Sequence, residues 1–305
     1  MRHPNRLLDE YISSLTGKAA ATIDTYRREL SHLLSWVADR PGSQSRFRPE
    51  HLTKTALEAY LAHLEASGHS LSHRARVKSV VSSFARWLIE EKNALRRNPA
   101  YGVTLPPQPL LAPRQLSPDQ RYVLKTLVER AEDPRGEALF ALGYWAGCRV
   151  SDAAWLRRDD THVGPKVGWI HVGHKGGKAR DIDLVNEVRK PLYHYIHHGG
   201  CDRDSPYVFT SQRAARLTEA GIHYWLRTLK ALARKDEWEL IQEVTFHDLR
   251  HDFAHRARES GWTIEEIAYY LGHVTKKGTP AIQTTVRYTQ VSRDRVKEKL
   301  KRLGG

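Results

Sequence analysis

The sequence predicts a mainly α-helical protein of two domains, with a small β-sheet or hairpin in the C-terminal domain. Apolar side chains recur at steps of three and four residues through most of the chain, strict alternation is confined to one short stretch, and five prolines lie between Pro106 and Pro118. Such a proline-rich segment forms neither a helix nor a central strand. The expected boundaries are 1–103 for a helical domain, 104–116 for a linker and 117–305 for a second domain, which ends in a helix over 292–303.

Three helices are expected in the N-terminal domain, because each segment places its apolar residues on one helical face. The segment TIDTYRRELSHLLSWVADR is followed by Pro41-Gly42, and ALEAYLAHLEASG closes on Gly68, as helices often do. In the third segment, SHRARVKSVVSSFARWLIEEK, the apolar face consists of Val77, Val81, Phe84 and Leu88.

Three cations begin this third helix, beside several serines: Arg74, Arg76 and Lys78. Cations and small polar residues on an exposed helical face suit contacts with a nucleic-acid backbone. A merely solvated face is an equally good interpretation.

The C-terminal domain is expected to begin with a helical pattern from Asp119 to Trp145 and then to change period. Hydrophobic residues alternate with polar ones on either side of a glycine-rich turn, which predicts a β-hairpin; they are Ile170, Val172, Ile182 and Leu184. Helices resume through LTEAGIHYWLRTLKALARK and are expected to continue to the end of the chain.

A later helix has clear end signals. Thr263 and Glu266 form a capping box ahead of an apolar run, and Gly272 stands at its end.

The chain is strongly basic, with a formal net charge of +14. The excess is spread over both predicted domains, +6 in residues 1–105 and +8 in residues 106–305, which predicts a polyanionic partner touched by both lobes. No stretch approaches the eighteen or so uninterrupted apolar residues of a membrane span. Acidic residues at Asp9 and Glu10 speak against a signal peptide, and two cysteines cannot form a disulfide framework. We therefore expect a cytoplasmic, DNA-associated protein without a membrane partner.

Four short motifs contain residue types that can carry chemistry. In AGCRVSDAAWL, Gly147 is expected to end one helix and Ser151-Asp152 to start the next, so that Arg149 lies in a tight junction with Asp152 as its brace. An arginine paired with an acid for purely structural reasons is the alternative interpretation. In the hairpin turn HKGGK, Lys175 lies at the tip, where a flexible ammonium can reach a ligand.

The third motif is TFHDLRHDFAHRA. A spacing of three places His247 and Arg250 on one helical face, where a histidine can exchange a proton beside a bound anion. His247, His251 and His255 also resemble the histidine helix of zinc hydrolases, although Arg250 would bring a positive charge close to the metal and the expected Glu is replaced by Asp. The fourth motif places His273 just past a helix end and Tyr288 fifteen residues later.

The order of these motifs resembles the signature of the tyrosine recombinases, also called the phage integrase family. The elements are Arg in G-x-R-x-S-D, Lys in a hairpin, H-x-L-R-H, L-G-H and T-T-x-x-Y-T, and they span about residues 139–288. The N-terminal helical lobe is similar to the core-binding domain of that family. The implied fold is a two-domain DNA clamp, in which a helical core-binding (SAM-like) domain joins a tyrosine recombinase catalytic domain.

The resemblance also implies a role for each residue. Tyr288 would attack a DNA phosphodiester to give a 3′-phosphotyrosyl link, while Arg149, Arg250 and His273 would hold the non-bridging oxygens. Lys175 would protonate the departing 5′-oxygen and His247 would accept the tyrosine proton. No metal or other cofactor is implied.

Two features depart from the family pattern. The interval between His273 and Tyr288 is longer than the nine residues of compact members, which leaves delivery of the tyrosine in cis or in trans open. The hairpin reads HKG instead of GKG, so Lys178 competes with Lys175, the preferred candidate. Lys178 and Arg180 are further candidate DNA contacts beside the hairpin turn.

The predicted partners are double-stranded DNA with a specific recombination site, a homotetramer of this chain on two such sites, and accessory proteins. A transposon, plasmid or dimer-resolution role is favoured over a large phage assembly. A type IB topoisomerase-like strand transferase, a zinc-dependent hydrolase using the HDLRH helix and a non-catalytic DNA-binding regulator stay open as alternatives.

Overall fold

The computed structural model describes residues 6–107, 115–173, 179–202, 204–211 and 214–273. The chain divides into two compact units, residues 1–109 and 110–305. No helix within the described ranges is long and apolar enough to cross a membrane.

The first unit is helical. Its α-helices are α1 (Arg6–Ser14), α2 (Ala20–Ala38), α3 (Lys54–Ala66) and α4 (Leu71–Glu90). Thr53 and Ser70 cap α3 and α4, since each side chain accepts a backbone N–H of the first turn. The apolar faces expected from the sequence meet in one core, where Leu30, Leu57 and Phe84 are fully buried. The three predicted helices of this unit are therefore present.

The second unit combines helices with one small sheet. Its helices are α5 (Pro118–Ala131), α6 (Pro134–Tyr144), α7 (Val150–Ala154), α8 (Asn186–His197), α9 (Glu219–Lys230), α10 (Lys235–Ile241), α11 (Phe246–Glu259) and α12 (Ile264–Leu271). Helix α12 has the predicted capping box of Thr263 and Glu266, and Gly272 ends it in a left-handed conformation with φ of 65°.

The sheet contains three antiparallel strands in the order β1 (Thr161–Val163), β2 (Gly168–Val172) and β3 (Arg180–Asp183). Ile170 lies opposite Ile182, and both are fully buried, as the alternating pattern predicts. Val172 lies opposite Arg180 in the last pair before the turn. The turn itself, residues 174–178, lies outside the described residues.

The structure corrects two local expectations and adds two elements. The helical pattern from Asp119 to Trp145 consists of two helices, because Asp133 caps a new helix at Pro134. The N-cap of α7 is Arg149, not Ser151-Asp152, and Leu184 falls just beyond β3. Strand β1 and helix α8 were not expected from the sequence.

Candidate active site

Helix α11 contributes a fully buried arginine to the second unit. Arg250 is 1% exposed, and its guanidinium donates to the carbonyl oxygens of Gly147 and Leu271, each at 2.6 Å. Its Nη2 atom is also 3.0 Å from Nε2 of His273. These contacts hold the planar fork of the guanidinium in one orientation.

The loop that receives Arg250 requires glycine. Gly147 has φ of 60°, and a Cβ atom there would lie 2.8 Å from side-chain carbons of both Leu271 and Phe253. Only a residue without a side chain combines this backbone conformation with such close packing. The fold therefore brings the carbonyl of Gly147 within reach of Arg250.

Arg149 lies two residues farther on, at the N-cap of α7, as expected for a tight junction. Its backbone N–H donates to Oδ2 of Asp152 at 3.0 Å, and its Nη1 is 3.9 Å from the same oxygen. Its Nη2 donates to the carbonyl of Gly272 at 3.3 Å. About a quarter of the Arg149 side chain is exposed, in contrast to buried Asp152 and Arg250.

His273 follows the left-handed residue that ends α12. Its backbone N–H donates to the carbonyl of Ala268 at 2.8 Å, and only 6% of the residue is exposed. When its Nε2 accepts a hydrogen bond from Arg250, the ring proton is on Nδ1. Arg149 and Arg250 thus bind the successive carbonyls of Gly272 and Leu271, directly before this histidine.

His247 and His251 lie one turn apart on α11, with ring centroids 4.1 Å from each other. Desolvation and the charge of Arg250 lower the pKa of His247, while Asp248 acts in the opposite direction. Desolvation, together with His247 and Arg250, lowers the pKa of His251 to about 3. His247 is therefore neutral at pH 7, the form that can accept a proton.

The three histidines of α11 are the basis of the zinc-hydrolase alternative. His247, His251 and His255 all belong to the described ranges, and within these no group of three or more His, Cys, Asp or Glu residues is arranged to hold a metal ion.

Two cations expected on exposed faces are buried instead. Arg74 is 8% exposed, with its Nη2 2.8 Å from a carboxylate oxygen of Glu65. The side chain of Arg180 is 9% exposed and is bound by Asp152 and the carbonyl of Tyr270. Their burial has a simple cause, since each faces inward with its apolar neighbours: Arg74 lies one turn before Val77, and Arg180 lies two residues before Ile182.

The other two cations of α4 remain in contact with solvent, since Arg76 is exposed and Lys78 is half-buried. Lys175, Lys178 and Tyr288 lie outside the described residues, as does the predicted C-terminal helix over 292–303.

Both units match the sequence models of known families. The sequence model of the phage integrase family matches residues 116–295, and that of the phage integrase N-terminal SAM-like domain matches residues 6–92. The chain therefore belongs to the phage integrase family, which consists of site-specific DNA recombinases.

Similar curated proteins extend over nearly the whole chain. A tyrosine recombinase XerC of Rhodospirillum centenum is 32% identical over 90% of this chain and 79% of its own length. A XerC of Neisseria gonorrhoeae is 27% identical, over 94% of this chain and 92% of its own. A XerD of Listeria innocua is 26% identical, over 96% and 97%. The predicted enzyme class, a tyrosine site-specific recombinase, is confirmed, and the topoisomerase-like, zinc-hydrolase and regulator alternatives are not favoured.

Solved structures share the fold. The Tn1549 transposon integrase in complex with a circular intermediate DNA has a TM-score of 0.75 at 16% identity, covering 97% of this chain and 98% of that one. The XerH recombinase bound to its difH substrate has a TM-score of 0.68 at 16% identity, covering 96% and 82%. At this level of identity the likeness concerns the fold alone, and it confirms the predicted fold class.

Proposed function

We propose that this chain recombines DNA at specific sites through a covalent 3′-phosphotyrosyl intermediate, with Tyr288 as the nucleophile. One observation carries the proposal. Arg149 and Arg250 are 101 positions apart in the chain, yet they bind the carbonyls of Gly272 and Leu271, directly before His273. The donors of both arginines are therefore fixed beside His273. Such fixed cationic donors stabilise a phosphorane-like transition state, in which negative charge builds up on the non-bridging oxygens.

The proposed reaction balances without a cofactor. The phenolic oxygen of Tyr288 attacks the phosphorus and transfers its proton to neutral His247, while the P–O5′ bond breaks. Lys175 gives a proton to the departing 5′-oxygen, with Lys178 as the competing donor. Attack by the 5′-hydroxyl of another strand on the phosphotyrosine then releases Tyr288 and rejoins the DNA. The bond energy is retained in the intermediate, because one phosphodiester replaces another.

Replacement of Tyr288 tests the nucleophile. Tyr288→Phe keeps the aromatic ring and removes the attacking oxygen, so site-specific binding should persist while the covalent adduct on a nicked suicide substrate disappears. Tyr269→Phe is a matched control, since Tyr269 is 75% exposed on α12 and has no proposed role. An adduct formed by Tyr288→Phe would assign the nucleophile to another residue.

We also propose that the active species is a homotetramer on two recombination sites, assembled through the C-terminal tail. The tail VSRDRVKEKLKRLGG places Val296, Leu300 and Leu303 at steps of four and three, a narrow apolar stripe that cannot form a core by itself. Docking of each tail on the next protomer gives a heterologous contact that closes into a ring.

Deletion of the tail tests this assembly. A chain that lacks residues 293–305 should fold and bind a single site but fail to pair two sites in a native-gel synapsis assay. Normal synapsis would contradict tail docking between protomers, and loss of folding would show that the tail packs on its own domain.

The cellular setting completes the proposal. The charge of +14 supports association with DNA, and we propose that the protein acts in the cytoplasm. A transposon, plasmid or dimer-resolution role, with accessory proteins that order the two sites, fits the family membership.

A further inference from the structure

Arg180 occupies a position between three parts of the candidate active site. It starts β3, directly after the hairpin turn that contains Lys175, and faces Val172 across the strands. Its Nη2 donates to Oδ2 of Asp152 at 3.0 Å, and its Nε donates to the carbonyl of Tyr270 at 2.9 Å. One planar group thereby joins the base of the hairpin to α7 and to the last turn of α12.

The contacts of Asp152 extend this connection to the proposed phosphate-binding arginine. The same Oδ2 atom that accepts from Arg180 also accepts the backbone N–H of Arg149 at 3.0 Å. Asp152 is 6% exposed, so its charge is compensated by these two arginines and not by water. Loss of Arg180 would leave the carboxylate free to turn toward the guanidinium of Arg149, which is now 3.9 Å away.

Arg180 also packs directly on the turn that carries His273. A Cβ atom at Gly272 would lie 2.9 Å from Cδ of Arg180 and 3.2 Å from its Nη1, so the aliphatic stem rests on the glycine backbone. The carbonyl of that glycine accepts from Arg149. The position of the turn is therefore set by contact with Arg180 on one side and with Arg149 on another.

Arg180 is committed to partners within the protein, because two of its three guanidinium nitrogens bind Asp152 and the carbonyl of Tyr270. Its side chain is 9% exposed, and Nη1 is a buried donor for which the described part of the chain offers no hydrogen-bond acceptor. A buried donor without a partner calls for an explanation. Here the bonds from Nε to Tyr270 and from Nη2 to Asp152 fix the guanidinium plane and thereby the position of Nη1.

We propose that Arg180 is a positioning residue, which fixes Asp152 and the Gly272 turn so that Arg149 and His273 face the scissile phosphate. The inference rests on the proposed function and replaces the expectation that Arg180 binds the DNA backbone. Its consequence is that Arg180 acts on the cleavage step and not on DNA affinity.

A stability cycle tests the pairing without DNA. Arg180→Met and Asp152→Asn, alone and together, are compared by urea denaturation. If the two groups act as one unit, the double variant loses much less stability than the sum of the two single losses. Additive losses would overturn the pairing.

Kinetics on two substrates tests the effect on the site. Arg180→Met should bind a single recombination site within two-fold of the parent chain and with the same salt dependence, because no phosphate contact is lost. At saturating protein it should form the covalent adduct at least ten-fold more slowly. On a substrate with a neutral methylphosphonate at the scissile position the deficit should shrink to about two-fold, as for Arg149→Met, since the charge that Arg149 meets is absent. Arg180→Lys should recover part of the rate.

Two results would contradict the positioning role of Arg180, and the assays distinguish them. Weaker binding with a reduced salt dependence and a normal rate once bound would make Arg180 a DNA contact. Equal deficits on both substrates would reveal a merely structural role, and either result overturns the inference. Arg234→Met is the matched control, since Arg234 is 70% exposed in the same unit, and it should behave as the parent chain. Absence of an adduct in the parent chain would instead refute the proposed function.

Discussion

Removal of the Asp252 carboxylate should destabilise the catalytic unit severely. Asp252 lies on α11, two residues after Arg250, and is completely buried. Its carboxylate accepts the backbone N–H of Leu116 at 3.1 Å, two nitrogens of Arg121 at 2.8 to 3.1 Å, and Nε of Arg256 at 3.0 Å. It thus links the start of the unit, α5 and α11 in a single network.

The expected loss follows from the partners left behind in Asp252→Ala. The N–H of Leu116 would lose its acceptor in the interior, which costs about 1–3 kcal/mol. Arg121, with a fifth of its side chain exposed, would lose all the hydrogen bonds to Asp252, each charge-assisted. Arg256 would lose less, because it also binds the carbonyl of Tyr144 and lies 4.0 Å over that ring. The total agrees with the roughly 3–5 kcal/mol typical of breaking a buried ion pair.

Thermal and urea unfolding of the purified chain measure this loss. For a unit of this size, 3–5 kcal/mol corresponds to a fall in Tm of roughly 6–20 °C. Asp252→Asn keeps one acceptor and should lose about half as much free energy of unfolding. Asp159→Ala is the matched control, since Asp159 is 85% exposed and 3.9 Å from Arg157, where a pair contributes about 0–1 kcal/mol. A loss in Asp252→Ala no greater than in Asp159→Ala would refute the reasoning.

Three other outcomes are expected. The pKa of His247 is lowered from the ordinary histidine value near 6.5, so the proposed base is still neutral at pH 6.5. The rate of adduct formation should therefore stay constant from pH 8 to 6.5 and fall only in more acidic buffer. A fall centred at pH 7 or above would contradict this role for His247. Lys175→Ala should slow cleavage of ordinary DNA much more than cleavage of a bridging 5′-phosphorothiolate, since sulfur departs without a proton, and equal deficits would favour Lys178 as the acid. Gly147→Ala should lose more than about 2 kcal/mol in urea denaturation, through a left-handed backbone and the 2.8 Å contacts of its Cβ. Gly200→Ala, with φ of 84° and nothing within 4 Å, isolates the backbone cost, and an equal loss in both would show that the packing is irrelevant.

Much of the fold could be predicted from local patterns. The helical period located α2, α3 and α4, and the capping box of Thr263 and Glu266 located α12, because both signals lie within one or two turns of backbone. Alternation located β2 and β3 in the same way. Two elements were not predicted. Strand β1 has three residues, too few to show a period, and helix α8 contains Pro191 within its span.

For the candidate active site, too, the sequence predicted some features and the tertiary structure was needed for others. The sequence by itself determined the basic charge, the order of the motifs and the family resemblance that named Arg149, Arg250, His273 and His247. Only the tertiary structure decided which acceptors these side chains meet, since Arg250 binds the carbonyl of Gly147, which is 103 positions away.

Buried charges show why the tertiary structure was needed. The alternation that made Ile182 inward also placed Arg180 inward, yet an inward arginine is stable only where acceptors are waiting, and Asp152 and the Tyr270 carbonyl come from elements 28 and 90 positions away. Asp252 likewise depends on Arg121, 131 positions distant. A sequence pattern specifies the face of a helix or strand on which a side chain lies. The packing of distant elements determines which partner offsets the desolvation cost of a buried charge.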